Sequence, residues 1–167
     1  YQREGLGWMH FLQDFGFGGC LADDMGLGKT IQVLALLEDR RLKRLAGEAV
    51  APSLVVVPRS LVFNWKQEAA RFTPRLRVKD HTSALRSHGS FDEWDVVLST
   101  YGTLRSDVMR WQATIFDYAI LDEAQSIKNA NTESARAARL IRARHRLALS
   151  GTPVENRMSE LISIFSF

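Results

Sequence analysis

Short apolar runs alternate along this chain with longer stretches of helical character. Several of the runs are apolar at nearly every position, which is typical of strands that are covered on both faces. All of the short runs together lie at residues 20–22, 54–57, 76–79, 95–99, 118–121 and 146–149. The stretches between them predict helices over residues 29–43, 61–72, 100–111 and 132–144. Strands and helices that alternate at this spacing predict an α/β fold with a mainly parallel sheet.

Charged residues divide two of the predicted helices into unlike parts. The first helix is apolar nearly all round as far as Leu37, which predicts packing against a sheet, and we expect its charged end to emerge into solvent. Its last turns carry Arg40, Arg41, Lys43 and Arg44, where the helix dipole favours cations. In the last helix, Arg136, Arg139 and Arg142 recur at every third position and predict a solvated basic stripe on one face.

Composition places the chain among ordinary globular domains. Its 167 residues are 46% hydrophobic and 25% charged, which excludes a disordered chain. The 22 Lys and Arg against 19 Asp and Glu give a net charge of +3, which is compatible with a phosphate-bearing partner but too small to demonstrate one. The chain begins at Tyr1 and stops at Phe167 inside an apolar run, so we expect it to be a fragment of a longer protein.

Several other classes of protein and site are excluded on simple grounds. Cys20 is the single cysteine, so an internal disulfide and a cysteine-based zinc site are excluded, and a reducing compartment is favoured. No apolar stretch approaches the roughly 18 residues that a membrane span requires. We therefore expect a soluble, intracellular protein without a membrane role, in either a bacterial cytoplasm or a nucleus.

A glycine-rich segment before the first long helix predicts phosphate binding. Residues 23–30 read DDMGLGKT, whereas the phosphate-loop pattern is Gly, four residues, then Gly-Lys-Ser/Thr, so Asp23 stands where the first glycine belongs. Gly26 and Gly28 allow backbone N–H groups to converge on an anion, Lys29 can reach the phosphates, and Thr30 offers a hydroxyl to Mg²⁺. The alternative is a glycine-rich turn with a solvated lysine.

Two acidic residues close a second apolar run. Residues 119–123 read AILDE, so a strand would carry Asp122 and Glu123 to the carboxyl edge of the sheet, beside the phosphate loop. Asp122 would hold Mg²⁺, and Glu123 would orient and deprotonate an attacking water. The alternative is that Asp122 caps a following helix and Glu123 is solvated.

Further motifs follow one another in a fixed order and carry a resemblance. Residues 1–8 contain Tyr-Gln-x-x-Gly-x-x-Trp, residues 55–58 read VVVP before Leu61 and Trp65, residues 98–101 read LSTY, residues 122–125 read DEAQ, and residues 149–153 read LSGTP before Asn156. Together with the phosphate loop, they resemble the first RecA-like lobe of the Swi/Snf family of helicase-like ATPases, within helicase superfamily two. The resemblance covers residues 1–167 and removes the reservation about Asp23, because the family tolerates Asp there.

The resemblance implies roles for individual residues. The residues that it places at ATP are Gln2, Asp24, Met25, Gly26, Leu27, Gly28, Lys29 and Thr30. Thr30 and Asp122 would hold Mg²⁺, and Lys29, Asp122 and Glu123 would be the catalytic residues. Those that would couple nucleotide state to DNA contact are Gln125, Ser150, Gly151 and Thr152. Many family members carry His where this chain has Gln125, which leaves the detail of that coupling and the subfamily open.

DNA contact is expected at two places that follow predicted strands. Pro58, Arg59 and Ser60 precede a helix, and a helix N-terminus with an arginine and a hydroxyl is suited to bind a backbone phosphate. Ser99 and Thr100 occupy the equivalent place after another strand. The alternative for each is that the Ser or Thr side chain caps the helix.

At the level of the whole protein, the resemblance implies a three-layer, RecA-like P-loop NTPase lobe with a mainly parallel central sheet. Residues 1–167 would be the N-terminal ATP-binding lobe of a motor that uses ATP and Mg²⁺ and moves along double-stranded DNA without separating the strands. Its partners would be DNA, a C-terminal RecA-like lobe and a DNA-bound protein complex. An arginine from that second lobe would contribute about 10³ to 10⁵ in rate. We therefore expect the chain alone to bind nucleotide but hydrolyse it poorly.

Two other functions compete with this one. Another phosphate-loop enzyme, such as a small kinase or a transporter ATPase, would need a lid and acceptor site or its own signature loop, and neither is visible in the sequence. A non-catalytic module that binds nucleotide or a partner through this lobe is the remaining alternative.

Overall fold

A parallel sheet forms the centre of the structure. The computed structural model of this chain describes residues 19–22 (backbone only), 28–82, 89–127 and 132–150. Its strands are β1 (Gly19–Ala22), β2 (Ser53–Val57), β3 (Val78–Asp80), β4 (Val96–Thr100), β5 (Ile115–Leu121) and β6 (Arg142–Ser150). They lie in the order β1-β6-β5-β2-β4-β3, and each pairing is parallel. The predicted α/β fold with a mainly parallel sheet is confirmed.

Helices cover both faces of this sheet. They are α1 (Lys29–Leu45), α2 (Val62–Phe72), α3 (Tyr101–Ser106), α4 (Val108–Ala113) and α5 (Glu133–Arg139), with 3₁₀ turns at Arg59–Leu61 and Ala124–Ile127. One apolar cluster joins α1 and α2 to the sheet, and a second joins α3, α4 and α5 to it. The architecture therefore has three layers, as predicted. None of the helices in the described ranges is long and apolar enough to cross a membrane.

The middle strand β2 shows why these runs read as apolar at every position. Leu54 and Val56 belong to the cluster on one face of the sheet, whereas Val55 and Val57 belong to the cluster on the other. All four side chains are fully buried. A strand between two helical layers has no solvent-facing side, so its sequence does not alternate.

The last predicted helix is too long, and the predicted basic stripe is wrong in part. Helix α5 ends at Arg139, and Arg142 is the first residue of β6, paired with Ile115 of β5. Arg142 therefore cannot share a helical face with Arg136 and Arg139. Arginine and alanine are good helix formers, but intrinsic propensity is a weak determinant, and the backbone hydrogen bonds to β5 override it.

Two other predicted elements differ from the structure. The helix predicted over residues 100–111 is divided between α3 and α4 at Asp107, where φ is −113° and ψ is 34°. The Asp107 carboxylate accepts a hydrogen bond from Nε2 of the buried His81, at 3.0 Å. The strand predicted over residues 76–79 begins two residues later, because the N–H of Leu76 closes a turn on the carbonyl of Thr73 at 3.0 Å.

The charged end of α1 does not emerge freely into solvent, contrary to expectation. Each of its four cations is paired with a carboxylate in the structure. The pairs are Arg40–Asp117 (2.7 Å), Arg41–Glu38 (2.5 Å), Lys43–Asp39 (3.3 Å) and Arg44–Asp95. Asp117 lies in β5 and Asp95 directly precedes β4, so two of the pairs fasten α1 to the amino edge of the sheet.

Candidate functional site

Most of the predicted site residues that the structure describes lie at the carboxyl edge of the sheet. Because all the strands are parallel, the ends of β1, β2, β4, β5 and β6 meet at that edge, where ligands of open α/β sheets bind. Asp122 and Glu123 follow β5, and Ser150 ends β6. Sequence-distant motifs are thus brought to one side of the fold.

The first turn of α1 has the features of an anion-binding site. Gly28 precedes the helix with φ at 86°, a left-handed conformation that glycine adopts without strain. Gly28 makes no side-chain cap, so among the described residues the N–H groups of the first turn remain available to a ligand. These groups point from a helix start towards the same edge that carries Asp122 and Glu123.

Lys29 is buried beside this helix start and has no hydrogen-bonding partner among the described residues. Only 5% of the residue is exposed, and among the described residues nothing accepts a hydrogen bond from its Nζ. An ammonium that is taken out of water and left unpaired is strongly destabilising unless a ligand completes it. A phosphate group has the charge and the acceptor oxygens to do so.

Asp122 is buried and held from several sides. Its Oδ2 accepts a hydrogen bond from Nε1 of Trp65 at 2.8 Å, and its Oδ1 accepts one from the N–H of Glu123 at 2.8 Å. Tyr101 donates from its hydroxyl to the Asp122 backbone carbonyl at 2.6 Å. The Asp122 N–H donates to the carbonyl of Val56 at 2.8 Å, which ties the end of β5 to β2. The carboxylate therefore has a fixed orientation.

Burial sets the electrostatics of this carboxylate. It raises the pKa of Asp122 above its ordinary value, while the hydrogen bonds to the carboxylate and the nearby charge of Lys29 oppose that rise. Burial also raises the pKa of the Tyr101 phenol well above its usual range, so Tyr101 stays protonated as a donor. A buried carboxylate that lacks a full counter-charge is well suited to a cation.

The neighbouring Glu123 has an unusual backbone. Its φ is 51°, the one positive φ of a non-glycine residue in the described ranges. Such a conformation is unfavourable for a residue with a side chain and is concentrated at functional sites. Here it lies directly after β5, where Asp122 bonds to Trp65 and Glu123 bonds to Gln125.

A hydrogen-bonded chain leads from Glu123 to the end of β6. Gln125 donates from Nε2 to Oε2 of Glu123, and Ser150 donates from its hydroxyl to Oε1 of Gln125 at 3.1 Å. Three residues that the motifs assigned to hydrolysis or coupling are therefore in direct contact. The amide of Gln125 supplies both the donor and the acceptor that this chain requires.

The candidate DNA-contact residues divide into two groups. Arg59 and Ser60 are exposed on the 3₁₀ turn that leads into α2, and Pro58 is half-buried beside them. Ser99 is fully buried and donates its hydroxyl to the carbonyl of His81 at 2.8 Å. Thr100 caps α3 by accepting a hydrogen bond from the N–H of Thr103 at 3.3 Å.

The contact of Ser99 and Thr100 with DNA stays a prediction, and the surroundings of both residues oppose it. Both hydroxyls are used inside the fold, and both residues are buried. Thr100 follows the capping alternative. A phosphate would have to displace these internal hydrogen bonds, so only the turn at Pro58, Arg59 and Ser60 offers an exposed surface.

Several predicted site residues lie outside the described residues. They are Gln2, Asp24, Met25, Gly26, Leu27, Gly151 and Thr152.

The sequence reasoning missed the hydrogen bonds that Trp65 and Tyr101 make to Asp122. Trp65 stood in one motif and Tyr101 in another, each without a role of its own. Trp65 and Asp122 are 57 positions apart in the chain, so no local spacing connects them. The available signal was the position of each aromatic residue close after a strand that ends at the carboxyl edge.

The described residues fit Mg²⁺ bound together with a nucleotide. Among them, no group of three or more His, Cys, Asp or Glu side chains could hold a metal by itself. Mg²⁺ is commonly bound by one or two carboxylates together with substrate phosphates. Asp122, with the hydroxyl of Thr30 in the first turn of α1, matches that donor set.

The described residues form an α/β lobe with a parallel sheet, a glycine and a buried lysine at the start of α1, and an acidic pair at the end of a central strand. The chain matches the SNF2-related domain family over residues 1–167 and belongs to that family.

Curated relatives from bacteria and eukaryotes span the whole chain. It is 44% identical to a Bacillus subtilis protein provisionally named ATP-dependent helicase/translocase YwqA, covering 100% of this chain and 18% of that protein. It is 35% identical to the TATA-binding protein-associated factor MOT1 of Saccharomyces cerevisiae, covering 100% of this chain and 10% of that protein. The chain therefore spans less than a fifth of these relatives.

Solved structures agree with this assignment. The SWI2/SNF2 ATPase core of Sulfolobus solfataricus in complex with double-stranded DNA superimposes with a TM-score of 0.90 at 40% identity. The match covers 99% of this chain and 34% of that one. A second structure of that core domain gives a TM-score of 0.82 at 39% identity, covering 99% of this chain and 33% of the other. The predicted RecA-like fold class and family are confirmed.

Proposed function

We propose that this chain is the ATP-binding lobe of a DNA-dependent ATPase that moves along double-stranded DNA and remodels protein–DNA complexes. The observation that carries the proposal is the buried ammonium of Lys29 at the start of α1, which has no hydrogen-bond partner among the described residues and whose charge acts on Asp122. The names of the relatives and the DNA complex of the Sulfolobus ATPase core support it.

Each residue of the site has a distinct task in this proposal. Lys29 and the N–H groups of the first turn of α1 bind the phosphates of ATP, and Thr30 and Asp122 hold Mg²⁺. When bound, Mg²⁺ neutralises charge on the phosphate oxygens. Glu123 accepts a proton from the attacking water. The hydrogen bond from Gln125 fixes the rotamer of the Glu123 carboxylate, so the base faces one direction.

Coupling follows from the same hydrogen bonds. Ser150 ends β6, and its contact with Gln125 joins that strand to the base. A movement at the end of β6 would change how Gln125 holds Glu123. We propose that this chain of hydrogen bonds couples the nucleotide state to the rest of the motor. The coupling role of Gly151 and Thr152 rests on the family motif alone.

DNA would be held through its backbone. Phosphates are the same at every step along a duplex, so a motor that moves along it benefits from contacts that do not read bases. Arg59 and Ser60 are exposed at the start of α2, where a guanidinium, a hydroxyl and helix N–H groups can reach one phosphate. The match with a DNA-bound ATPase core supports this placement.

The 167-residue chain alone should hydrolyse ATP poorly. The described site supplies a phosphate-binding lysine, a metal-binding carboxylate and a base, but the resemblance assigns a stabilising arginine to a second lobe. Purified chain should therefore bind a fluorescent ATP analogue while its turnover stays near background with or without DNA. Robust DNA-stimulated turnover by the chain alone would contradict this proposal.

The central test uses the full-length protein and the Glu123→Gln variant. Loss of the base should lower the DNA-stimulated ATPase rate by about 10² to 10⁴, the usual contribution of general base catalysis. Nucleotide binding should persist, because Glu123 is not a phosphate ligand. Glu38→Gln is the matched control, since Glu38 pairs with Arg41 within α1, and should retain activity. A normal rate in Glu123→Gln would refute the role of Glu123, and a wild-type protein that binds ATP without any turnover would favour the non-catalytic module.

A further inference from the structure

Two buried aromatic donors converge on Asp122. Trp65 in α2 donates to the carboxylate Oδ2 at 2.8 Å, and Tyr101, the first residue of α3, donates to the backbone carbonyl of the same residue at 2.6 Å. Only 3% of Trp65 is exposed. One donor thus orients the side chain of Asp122, and the other fixes its backbone.

Each donor belongs to an element that begins at the carboxyl edge. Trp65 follows the exposed Arg59 and Ser60 within two helical turns. Tyr101 comes directly after Thr100, which caps α3. Both helices therefore start at this edge, α2 beside exposed residues and α3 at buried ones, and each places a hydrogen-bond donor on Asp122 within a few residues. No other element needs to intervene.

A second buried tryptophan shows what a structural indole requires. Trp111 in α4 is fully buried, and its Nε1 donates to the backbone carbonyl of Leu104 at 3.1 Å. That bond satisfies the indole within one helical layer. Trp65 instead donates to the carboxylate that the site needs for Mg²⁺, so its hydrogen bond affects a functional atom.

We propose that Trp65, supported by Tyr101, is a positioning residue that links phosphate contact at the start of α2 to the orientation of the Asp122 carboxylate. This inference rests on the proposed function. A rigid indole in a close-packed interior moves with its helix, so a shift of α2 on DNA moves the donor at Oδ2. The link would make Mg²⁺ and nucleotide binding sensitive to DNA.

The test compares matched variants of the full-length protein. Trp65→Phe removes the N–H and keeps an aromatic ring, Tyr101→Phe removes only a hydroxyl, and Trp111→Phe is the control for losing a buried indole. The first measurement is the Mg²⁺ concentration that gives half-maximal binding of a fluorescent, non-hydrolysable ATP analogue. Trp65→Phe should raise it about 10-fold or more, as loss of a bond that orients a metal ligand commonly does. Tyr101→Phe should raise it less, and Trp111→Phe should leave it unchanged.

The second measurement is the change in analogue affinity when double-stranded DNA is added, at saturating Mg²⁺. Wild type and Trp111→Phe should respond alike. Trp65→Phe should respond less, even where excess Mg²⁺ has restored its binding, because the path from α2 to Asp122 is interrupted. A purely structural role for Trp65 would lower thermal stability without separating these two variants.

The outcomes are distinct. Equal shifts in Trp65→Phe and Trp111→Phe, or no shift in either, would overturn the inference. If Trp65→Phe does not fold, Tyr101→Phe decides, and an unchanged Mg²⁺ dependence there would overturn it. Asp122→Asn tests the metal role of Asp122 separately from its link to α2. If Asp122→Asn changes the Mg²⁺ dependence of analogue binding strongly and Trp65→Phe does not change it, the link is rejected and the metal role stands. No effect in Asp122→Asn rejects the metal role of Asp122 and the link with it.

Discussion

The two edges of the same sheet bury charge in opposite ways. At the amino edge, Arg40 binds Asp117 through two hydrogen bonds, at 2.7 and 3.0 Å, and Arg44 pairs with Asp95. At the carboxyl edge, Lys29 is buried with no hydrogen-bond partner among the described residues, and Asp122 accepts its hydrogen bonds from an indole and a backbone N–H.

The paired charges of the amino edge stabilise the fold, whereas those of the carboxyl edge are the ones that the proposed function assigns to a ligand. A paired buried charge recovers part of its desolvation free energy from its partner, whereas an unpaired one does not. In the proposed function, the incompletely paired charges of the carboxyl edge lower stability and are the ones that would bind phosphate and Mg²⁺. Burial alone would not distinguish the two edges, since both contain nearly inaccessible charged groups.

The largest effect on stability is expected when the amino-edge pair is broken. Arg40→Met should lower the free energy of unfolding by about 3–5 kcal/mol, because Asp117 would be left fully buried without a counter-charge. Denaturant unfolding measures this loss. The double variant Arg40→Met/Asp117→Leu should recover most of it, since a well-packed apolar pair often replaces a buried ion pair. If the single variant is as stable as wild type, the amino edge does not depend on paired charge.

The same kind of substitution at the carboxyl edge should act mainly on binding. Lys29→Met should weaken ATP binding by about 1.5–3 kcal/mol, the usual contribution of a hydrogen bond to a charged group. The free energy of unfolding should stay constant or rise by about 0.5–2 kcal/mol, as is common when a strained functional group is removed. Calorimetric titration with an ATP analogue and denaturant unfolding give the two values. If Lys29→Met binds ATP with unchanged affinity, or loses as much stability as Arg40→Met, the two edges do not differ in the way described.

The smallest expected effect on stability comes from His81. Its imidazole is a third kind of buried group, one that burial keeps neutral. Burial lowers the pKa of His81, and although Asp107 accepts a hydrogen bond from its Nε2, its Nδ1 has no partner among the described residues. The unfolded chain, with a histidine pKa of about 6.5, then binds the proton more readily than the folded one. Stability should therefore fall as the pH drops through 6.5, by at most about 1.4 kcal/mol from this group at pH 5.5.

Unfolding at pH 7.5 and at pH 5.5 checks this sign. His81→Gln should reduce the difference between the two conditions. Burial also lowers the pKa of His145, so His145→Gln is the companion variant that measures the share of that second histidine. A protein that becomes more stable on acidification, or a His81→Gln variant with the full difference, would contradict the assignment.

Local sequence pattern predicted most strands and the ends of several helices. Continuous apolar runs marked β2 and β5 because these strands are covered on both faces, and Lys29 was correctly placed at the start of α1. The border between α5 and β6 was wrong, because the Arg-Ala alternation there suits a helix as well as a strand. Only the pairing of Ile115 with Arg142 decides in favour of a strand, and that contact is not local.

The sequence predicted which residues form the candidate site, but not the hydrogen bonds that connect them. Lys29, Asp122 and Glu123 stand in motifs whose order indicates nucleotide chemistry. The bonds from Trp65 and Tyr101 to Asp122, and the use of Ser99 inside the fold, depend on how separate strands and helices are brought together. The sequence likewise placed charge at the end of α1 without indicating Asp117 and Asp95 as partners.

The pairing of β1 with β6 has a consequence for biosynthesis. Gly19 and Leu147 are partners, so the first strand of the described sheet joins the last one. A ribosome that adds about 5–20 residues per second delivers β6 on the order of ten seconds after β1. During that interval β1 is made but its neighbour in the sheet is not. Nascent chains released before Ser150 would leave β1 without its partner in the described sheet, so the synthesis of β6 controls when the proposed nucleotide site can be completed.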